Sequence, residues 1–245
     1  MHPGSQQTNH SARVAILGLG GTIAMKPAGG RGAVPGLTAE DLVAQLPESV
    51  VGHIRHVENF RQLPGAHIGL DDLVQLAARI RELEQSGEAN GFVVVQGTDT
   101  IEETVFALEL LCRGSAPVVV TGAMRHTGLV SPDGAANIAN AVILAASPSA
   151  RERGAMVCFN DEIHAGWAGQ KTAATNLAAF SSPGFGPVGH VIEGRADLLL
   201  KAARWPAVAE EPAGIEPAPV ALVAAALGEG PDLLDAGAQG PGRGL

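Results

Sequence analysis

Short apolar runs alternate along the chain with segments whose apolar residues recur every three to four positions. The short runs predict buried β-strands and read RVAIL, VVGHIRHV, FVVV, PVVVT and AMVCF. The periodic segments between them predict amphipathic helices and read TAEDLVAQL, LDDLVQLAARIRELEQSG, EETVFALELLC and SPDGAANIANAVILAA. Strands and helices therefore alternate between residues 13 and 159.

Residues typical of helix ends flank three of the predicted helices. Thr38 precedes the first as an N-cap, and Gly87 is placed to end the second. Ser131 is the predicted N-cap of the last helix, with Pro132 as its first residue.

This alternation predicts an α/β fold, because unbroken apolar strands must be covered on both faces by helices. Right-handed crossovers make the sheet doubly wound and mostly parallel. Ligands bind such sheets beyond the carboxyl ends of the strands, where three loops are expected. These loops hold GGT at 20–22, QGTDT at 96–100 and TGAMRHTG at 121–128.

The 245 residues are enough for one large domain with a smaller partner. A proline-rich stretch at 204–219 predicts a linker between an N-terminal domain, residues 1–203, and a segment at 220–245. That segment offers one strand-like run and one short helix, which cannot bury both their apolar faces. We expect it to be frayed, docked on the first domain or paired with another chain.

The net charge of −9 is spread along the chain, so no basic face is available to bind nucleic acid. The first twelve residues lack the apolar core of a signal peptide, and no apolar run is long enough to span a bilayer. We therefore expect a cytoplasmic protein that binds neither nucleic acid nor membrane. Cys112 and Cys158 lie in apolar elements, which indicates packing rather than a disulfide.

Two of the three loops at the expected sheet edge carry a glycine followed by a threonine. These pairs are Gly21 with Thr22 and Gly97 with Thr98, and Asp99 follows the second pair. On local pattern alone, capping of the next helix accounts for Thr98 and Asp99. The first loop also resembles a dinucleotide-binding fingerprint, but the match lacks the third glycine.

Lys171 adds a possible base, as the one charged residue of the stretch AGQKTAATNLAAFSSP. A threonine hydroxyl is a poor nucleophile at neutral pH and needs an adjacent base or charge. A lysine whose proton affinity is lowered by burial, and which a carboxylate holds, can serve as that base. Thr98, Asp99 and Lys171 have the chemical types for such a relay.

Five segments together resemble the bacterial L-asparaginase family, amidohydrolases that act on asparagine and, to varying degrees, glutamine. These segments are GGTIA, GTDTIEET, TGAMR, DGAANIANAV and QKTAATNLAAFSSP, in the order and at about the spacing of the family. The resemblance covers roughly residues 12 to 190. It implies an enzyme that releases ammonia from L-asparagine to give L-aspartate, and a homo-oligomer, dimer or tetramer, for a full-length chain.

The resemblance also implies roles for individual residues. Thr22 would be the nucleophile that forms an acyl-enzyme. Thr98 would position water or assist proton transfer, and Lys171 would hydrogen-bond to Thr98 and tune its proton affinity. Asp99 would hold the α-ammonium of the substrate. Backbone N–H groups near Thr22 and Thr98 would stabilise the oxyanion, which suits a glycine at position 97. Neither a metal nor an organic cofactor is implied.

The chain departs from the family pattern in three respects. The first is length: the family has a second, smaller α/β domain after a linker, so the resemblance implies that residues 220–245 are a remnant of that domain. A truncated or frame-shifted copy of a longer protein is therefore an open interpretation.

The chain also contains no tyrosine, so the phenol that the family usually carries after the nucleophile is missing. The serine and glutamine that bind the substrate carboxylate in the family align on Gly65 and Ala66, whose side chains offer no hydrogen bond. Backbone N–H groups or His67 would have to replace them.

Two other functions therefore stay open. One is a catalytically impaired, asparaginase-like binding module. The other is the amidase-like subunit of a tRNA-dependent amidotransferase, which shares these motifs but would need a tRNA-binding extension or a basic surface.

Overall fold

The computed structural model describes residues 11–21, 25–27, 33–35, 38–206, 208, 220, 232 and 235, with 25–27 and 33–35 as backbone alone. The chain divides into two units, Met1–Ala213 and Gly214–Leu245. The fold below is that of the first unit. Most of the expected linker at 204–219 and most of the expected remnant at 220–245 lie outside the described residues, so both stay predictions.

The strands of the first unit are listed here in chain order: β1 (Val14–Gly20), β2 (Met25–Pro27), β3 (Ala33–Pro35), β4 (Ile54–Leu63), β5 (Gly91–Val95), β6 (Val118–Thr121), β7 (Ala155–Phe159), β8 (Glu162–Ala165), β9 (Gln170–Lys171), β10 (Phe180–Ser181), β11 (Gly189–Ile192) and β12 (Arg195–Leu198). The helices are α1 (Ala39–Val43), α2 (Glu48–Val51), α3 (Leu70–Gln85), α4 (Ile101–Leu111) and α5 (Gly134–Ala146). Short 3-10 turns occupy Gly65–His67, Thr98–Thr100 and Pro148–Ala150.

A sheet of eight strands in the order β12-β11-β8-β7-β6-β5-β1-β4 forms the centre of the unit. Neighbours from β4 to β7 pair in parallel, and β8, β11 and β12 continue the sheet antiparallel. The predicted α/β, mostly parallel sheet is confirmed. Because β4 lies on one side of β1 and β5 on the other, the order reverses at β1. The loops after β1 and β5 therefore meet at a topological switch point, where such sheets bind ligands.

The central strands β5, β6 and β7 are buried along their whole length, since helices cover both faces of the sheet. Val93 and Val95 belong to the apolar cluster that contains Ile138 and Val142 of α5. Side chains alternate along a strand, so Phe92 faces the other side of the sheet. None of the helices in the described part of the chain has the length and apolar character needed to cross a bilayer.

Two predicted helix ends agree with the structure. Thr38 caps α1: its Oγ1 accepts the backbone N–H of Asp41 at 3.2 Å, and the Asp41 carboxylate accepts the N–H of Thr38 at 3.0 Å. Gly87 follows the end of α3 with a φ of 74°. The left-handed region suits glycine, which here ends the helix.

Two sequence predictions are wrong. Ser131 does not cap α5, because α5 begins at Gly134 after Asp133, and Ser131 has a φ of 53°. The run VVGHIRHV is not one strand, because its first valines belong to α2 and β4 begins at Ile54. A short run of β-branched residues fits both helix and strand, so the pattern left the boundary undefined.

Glu109 of α4 binds the segment that contains Arg204 and Trp205. It is 2% exposed, and its Oε2 accepts the N–H of Ala155 at 2.7 Å. Its Oε1 accepts the N–H of Trp205 at 3.1 Å and lies 3.7 Å from Nε of Arg204. Burial raises the pKa of Glu109 above its ordinary value. The ring of Trp205 also packs edge-on against Phe106, so residues 204 and 205 are held on α4.

Candidate active site

Three glycines bring the loops after β1, β4 and β5 into backbone contact. Gly21 has a φ of 88°, and a Cβ at this position would clash with the backbone nitrogen of Gly97. A Cβ at Gly65 would lie 3.2 Å from the carbonyl oxygen of Gly97, and a Cβ at Gly97 would lie 3.1 Å from the nitrogen of Gly65. Since no side chain separates them, the three loops meet at one point of the sheet edge.

Lys171 joins this point from a distant part of the chain. Its Nζ donates to Thr98 Oγ1 and to Asp99 Oδ1, each at 2.8 Å. The Lys171 side chain is 16% exposed, whereas that of Asp99 is 69% exposed, and Thr98 is buried. The structure therefore brings three of the four predicted catalytic side chains together.

The fourth, Thr22, lies outside the described residues. The residue before it in the sequence, Gly21, is one of the glycines that contact Gly97.

Helix capping does not account for this loop. Thr98 and Asp99 direct side-chain oxygens to Lys171, and Thr100, which precedes α4, makes no side-chain capping bond. Thr100 Oγ1 instead donates to the carbonyl oxygen of Gly65 at 2.9 Å. The capping interpretation is therefore wrong, because the polar side chains are used for contacts between loops.

Gln96 is a residue of this site that the sequence analysis missed. It is fully buried directly after β5, and its Nε2 donates to Thr100 Oγ1 at 3.2 Å and to the Gly97 carbonyl oxygen at 3.3 Å. A polar residue directly after an apolar strand was the available signal. Gln96 and Thr100 together link the β5 loop to the turn that begins at Gly65.

That turn, Gly65–His67, follows β4 and carries the two residues that depart from the family pattern. Gly65 is buried, and its carbonyl oxygen accepts bonds from Thr100 and from the N–H of Ile68 at 3.2 Å. Ala66 is exposed and has no polar side-chain atom. Close packing of Gly65 on Gly97 leaves little room for a larger residue at this position.

Asp133 and Asn137 shape the loop after β6, which begins beyond Thr121. The Asp133 carboxylate accepts the N–H groups of Met124 at 3.0 Å and Arg125 at 2.8 Å. Asn137 Nδ2 donates to Asp133 at 3.1 Å and to the carbonyl oxygen of Gly122 at 3.0 Å. The Asp133 carboxylate thus accepts backbone N–H groups of the loop and makes no capping bond to the backbone of α5.

The β9–β10 hairpin carries Lys171, which pairs with Phe180. The ring of Phe180 lies 4.9 Å from that of Phe159 in β7, measured between centroids. Ser182, just after β10, bonds through its Oγ to Nδ1 of the fully buried His164 in β8 at 2.9 Å. These contacts attach the hairpin to the main sheet.

The same histidine predicts a pH dependence of stability. Burial lowers the pKa of His164, against the opposing effect of the Glu162 carboxylate 3.3 Å from Nε2, while His190 lowers it further. Below about pH 6.5 an unfolded histidine binds a proton that the folded site resists, so stability falls as the pH falls. We expect the free energy of unfolding of His164→Asn to change less between pH 7.5 and 5.5 than that of the wild type, by up to about 1.4 kcal/mol.

Urea unfolding at the two pH values measures this effect, because other titrating groups cancel in the difference between the proteins. Equal pH dependence of the two proteins would show that His164 is not the responsible group.

The described residues also contain two cysteines, which are potential nucleophiles. Cys112 and Cys158 are free, and burial raises the pKa of each thiol to about 12, so neither is a thiolate at neutral pH. No group of three or more His, Cys, Asp or Glu side chains within the described ranges is placed to hold a metal ion. The cluster of Thr98, Asp99 and Lys171 thus remains the candidate reactive centre.

The fold and the site define a doubly wound α/β domain with its polar centre at the switch point. A family model described as "Asparaginase, N-terminal" matches residues 13–204. The chain belongs to the asparaginase family.

Three similar proteins illustrate this relationship. A glutaminase-asparaginase from Pseudomonas fluorescens biotype A is 39% identical over 189 residues, which make up 75% of this chain and 52% of that protein. L-asparaginase 2 of Escherichia coli K12 is 34% identical over 202 residues, 78% of this chain and 55% of that protein. A crystal structure described as a probable cytoplasmic L-asparaginase from Campylobacter jejuni matches with a TM-score of 0.71 and 33% identity, over 78% of this chain and 58% of that one. The chain therefore spans about half the length of the curated relatives it matches.

Proposed function

We propose that the chain carries the active site of an L-asparaginase-type amidohydrolase, which converts L-asparagine to L-aspartate and ammonia. The supporting observation is the pair of hydrogen bonds from Lys171 Nζ to Thr98 and Asp99, next to the contact of Gly21 with Gly97. Relatives named glutaminase-asparaginase make glutamine the second candidate substrate.

The reaction proceeds in two steps. The Thr22 oxygen attacks the side-chain amide carbon of the substrate, and the amide nitrogen leaves as ammonia once it has gained a proton. A water molecule then hydrolyses the resulting ester, which releases aspartate and restores the hydroxyl. Neither step requires a metal or an organic cofactor.

Proton transfer is assigned to Thr98 and Lys171, because the sequence has no tyrosine to act as the base. The proton that Thr22 loses passes through Thr98 Oγ1 toward Lys171 Nζ, and a proton returns by the same route to the leaving nitrogen. The 2.8 Å separation of Thr98 Oγ1 and Nζ is within the distance for such a transfer. For this transfer the hydrogen bond between the two side chains must reverse, so that Thr98 Oγ1 donates to Nζ, which in the described structure donates to Thr98.

Asp99 is assigned to bind the α-ammonium of the substrate. Lys171 engages its Oδ1, and the side chain is 69% exposed, so its other oxygen is available to a ligand. The α-carboxylate is assigned to backbone N–H groups of the Gly65–His67 turn or to the exposed ring of His67, because Gly65 and Ala66 offer no side-chain donor.

The test is release of ammonia by the purified protein from L-asparagine and L-glutamine, measured with a coupled dehydrogenase assay. We expect ammonia and aspartate in equal amounts from asparagine. Calorimetric binding of aspartate without turnover of either amide would instead support the binding module. The absence of side-chain donors at Gly65 and Ala66 favours that alternative. Absence of both binding and turnover would contradict the proposed function.

A cytoplasmic location and assembly into a homo-oligomer stay predictions for this chain. The name of the Campylobacter jejuni protein agrees with the first of them.

A further inference from the structure

The backbone of Lys171 is bound to the start of α4 by a second, separate contact. Its N–H donates to Oε1 of Glu102, a half-buried residue in the first turn of α4. Thr98 and Asp99, which bind Nζ of the same lysine, lie four and three positions before Glu102, respectively. One short segment therefore holds Lys171 at both ends, its backbone through Glu102 and its ammonium end through Thr98 and Asp99.

Lys171 needs this second contact because its own strand is short. β9 consists of two residues and pairs with β10, itself two residues long. A lysine side chain has four rotatable bonds and loses rotamer entropy when Nζ must reach two oxygens at once. If the backbone of Lys171 is held in place, fewer side-chain conformations compete with the one in which Nζ contacts both oxygens, so less entropy is lost.

We propose that Glu102 is a positioning residue for Lys171. Its carboxylate sets the distance between the Lys171 backbone and α4, so that Nζ spans Thr98 Oγ1 and Asp99 Oδ1 at 2.8 Å each. This inference rests on the proposed function for its effect on turnover, but the geometry can be tested without it.

The chain offers a matched control at the next position. Glu103 lies in the same first turn, carries the same charge and is exposed. Loss of either carboxylate removes the same favourable interaction with the helix dipole, so Glu103→Ala controls for that effect. Glu102→Gln keeps an oxygen that can accept the Lys171 N–H, whereas Glu102→Ala has none.

The first measurement is steady-state ammonia release. Displacement of a catalytic group by about 1 Å can lower turnover about 100-fold, so we expect Glu102→Ala to lower kcat about 10- to 100-fold with a smaller change in KM. Glu102→Gln should recover most of this loss, and Glu103→Ala should resemble the wild type.

The second measurement is independent of activity. Lys171 and the exposed Lys201 are reductively methylated, and the ratio of their labelling rates is read by peptide mass spectrometry. In the wild type the Lys171 side chain is 16% exposed and its Nζ makes two hydrogen bonds, so its labelling should be slow. We expect the Lys171 to Lys201 ratio to rise at least threefold in Glu102→Ala and to stay unchanged in Glu102→Gln and Glu103→Ala.

An unchanged labelling ratio in Glu102→Ala would overturn the proposal, and so would an equal rise in Glu103→Ala. If Glu102→Ala does not fold, Glu102→Asp, one methylene shorter, is measured instead, and a ratio equal to that of the wild type overturns the proposal. A wild-type protein that releases no ammonia but shows the expected labelling pattern would reject the proposed function while supporting the positioning role.

Discussion

Thr22→Ala is expected to lower the rate of ammonia release from asparagine by about 10⁴- to 10⁶-fold. The reason is chemical: alanine has no oxygen with which to form the acyl-enzyme, and removal of a nucleophile leaves only the binding groups of the site. Gly21, the residue before Thr22 in the sequence, contacts the backbone of Gly97, the residue before Thr98. A coupled assay of ammonia, run at substrate saturation, measures the loss.

Thr22→Ser is the matched control, since it retains the hydroxyl and removes only a methyl group. It should keep a substantial part of the activity, and mass spectrometry after rapid acid quench should detect the acyl adduct on it but not on Thr22→Ala. An undiminished rate in Thr22→Ala would assign the nucleophile to another residue.

Lys171→Met is expected to lower kcat by about 10²- to 10⁴-fold, the usual contribution of a general acid or base. Methionine has a similar length but no proton to exchange, so Thr98 Oγ1 loses its partner 2.8 Å away. Asp99 is 69% exposed, so water can solvate its carboxylate after the change and the cost in stability should be small.

Lys201→Met serves as the control, because Lys201 is an exposed lysine elsewhere in the same unit. It should leave kcat unchanged. If Lys171→Met retained the wild-type kcat, the proton relay would have to be assigned to other groups.

The parallel part of the fold was predictable because its information is local. Runs such as FVVV and AMVCF are apolar at every position, as expected for strands covered on both faces, and the helical segments between them favour that assignment. The antiparallel strands escaped prediction because they are short: β8 is largely buried but contains a histidine, and β11 and β12 are only partly buried. Ser131 was preferred as a cap because serine is a common N-cap, whereas the competing use of Asp133 by Met124 and Arg125 depends on a loop several residues earlier.

The candidate site shows the same limit more clearly. Chemistry-bearing types at 98, 99 and 171 could be picked out from the sequence, but capping explained the first two equally well on local grounds. What decides between the two is a bond from Lys171, more than seventy positions further along the chain. Gln96 and Glu102 could not be assigned roles, because their partners, Thr100 and the Lys171 backbone, are defined only by the fold.

The stacking of Gly21, Gly65 and Gly97 has a consequence for protein engineering. Each of these loops rests on the backbone of another, so the effects of changes in them should be strongly non-additive. A library that varies one loop at a time would reject substitutions that are tolerated when the facing loop shifts as well. Transplanting substrate preference from a relative would therefore mean exchanging the three segments as one block.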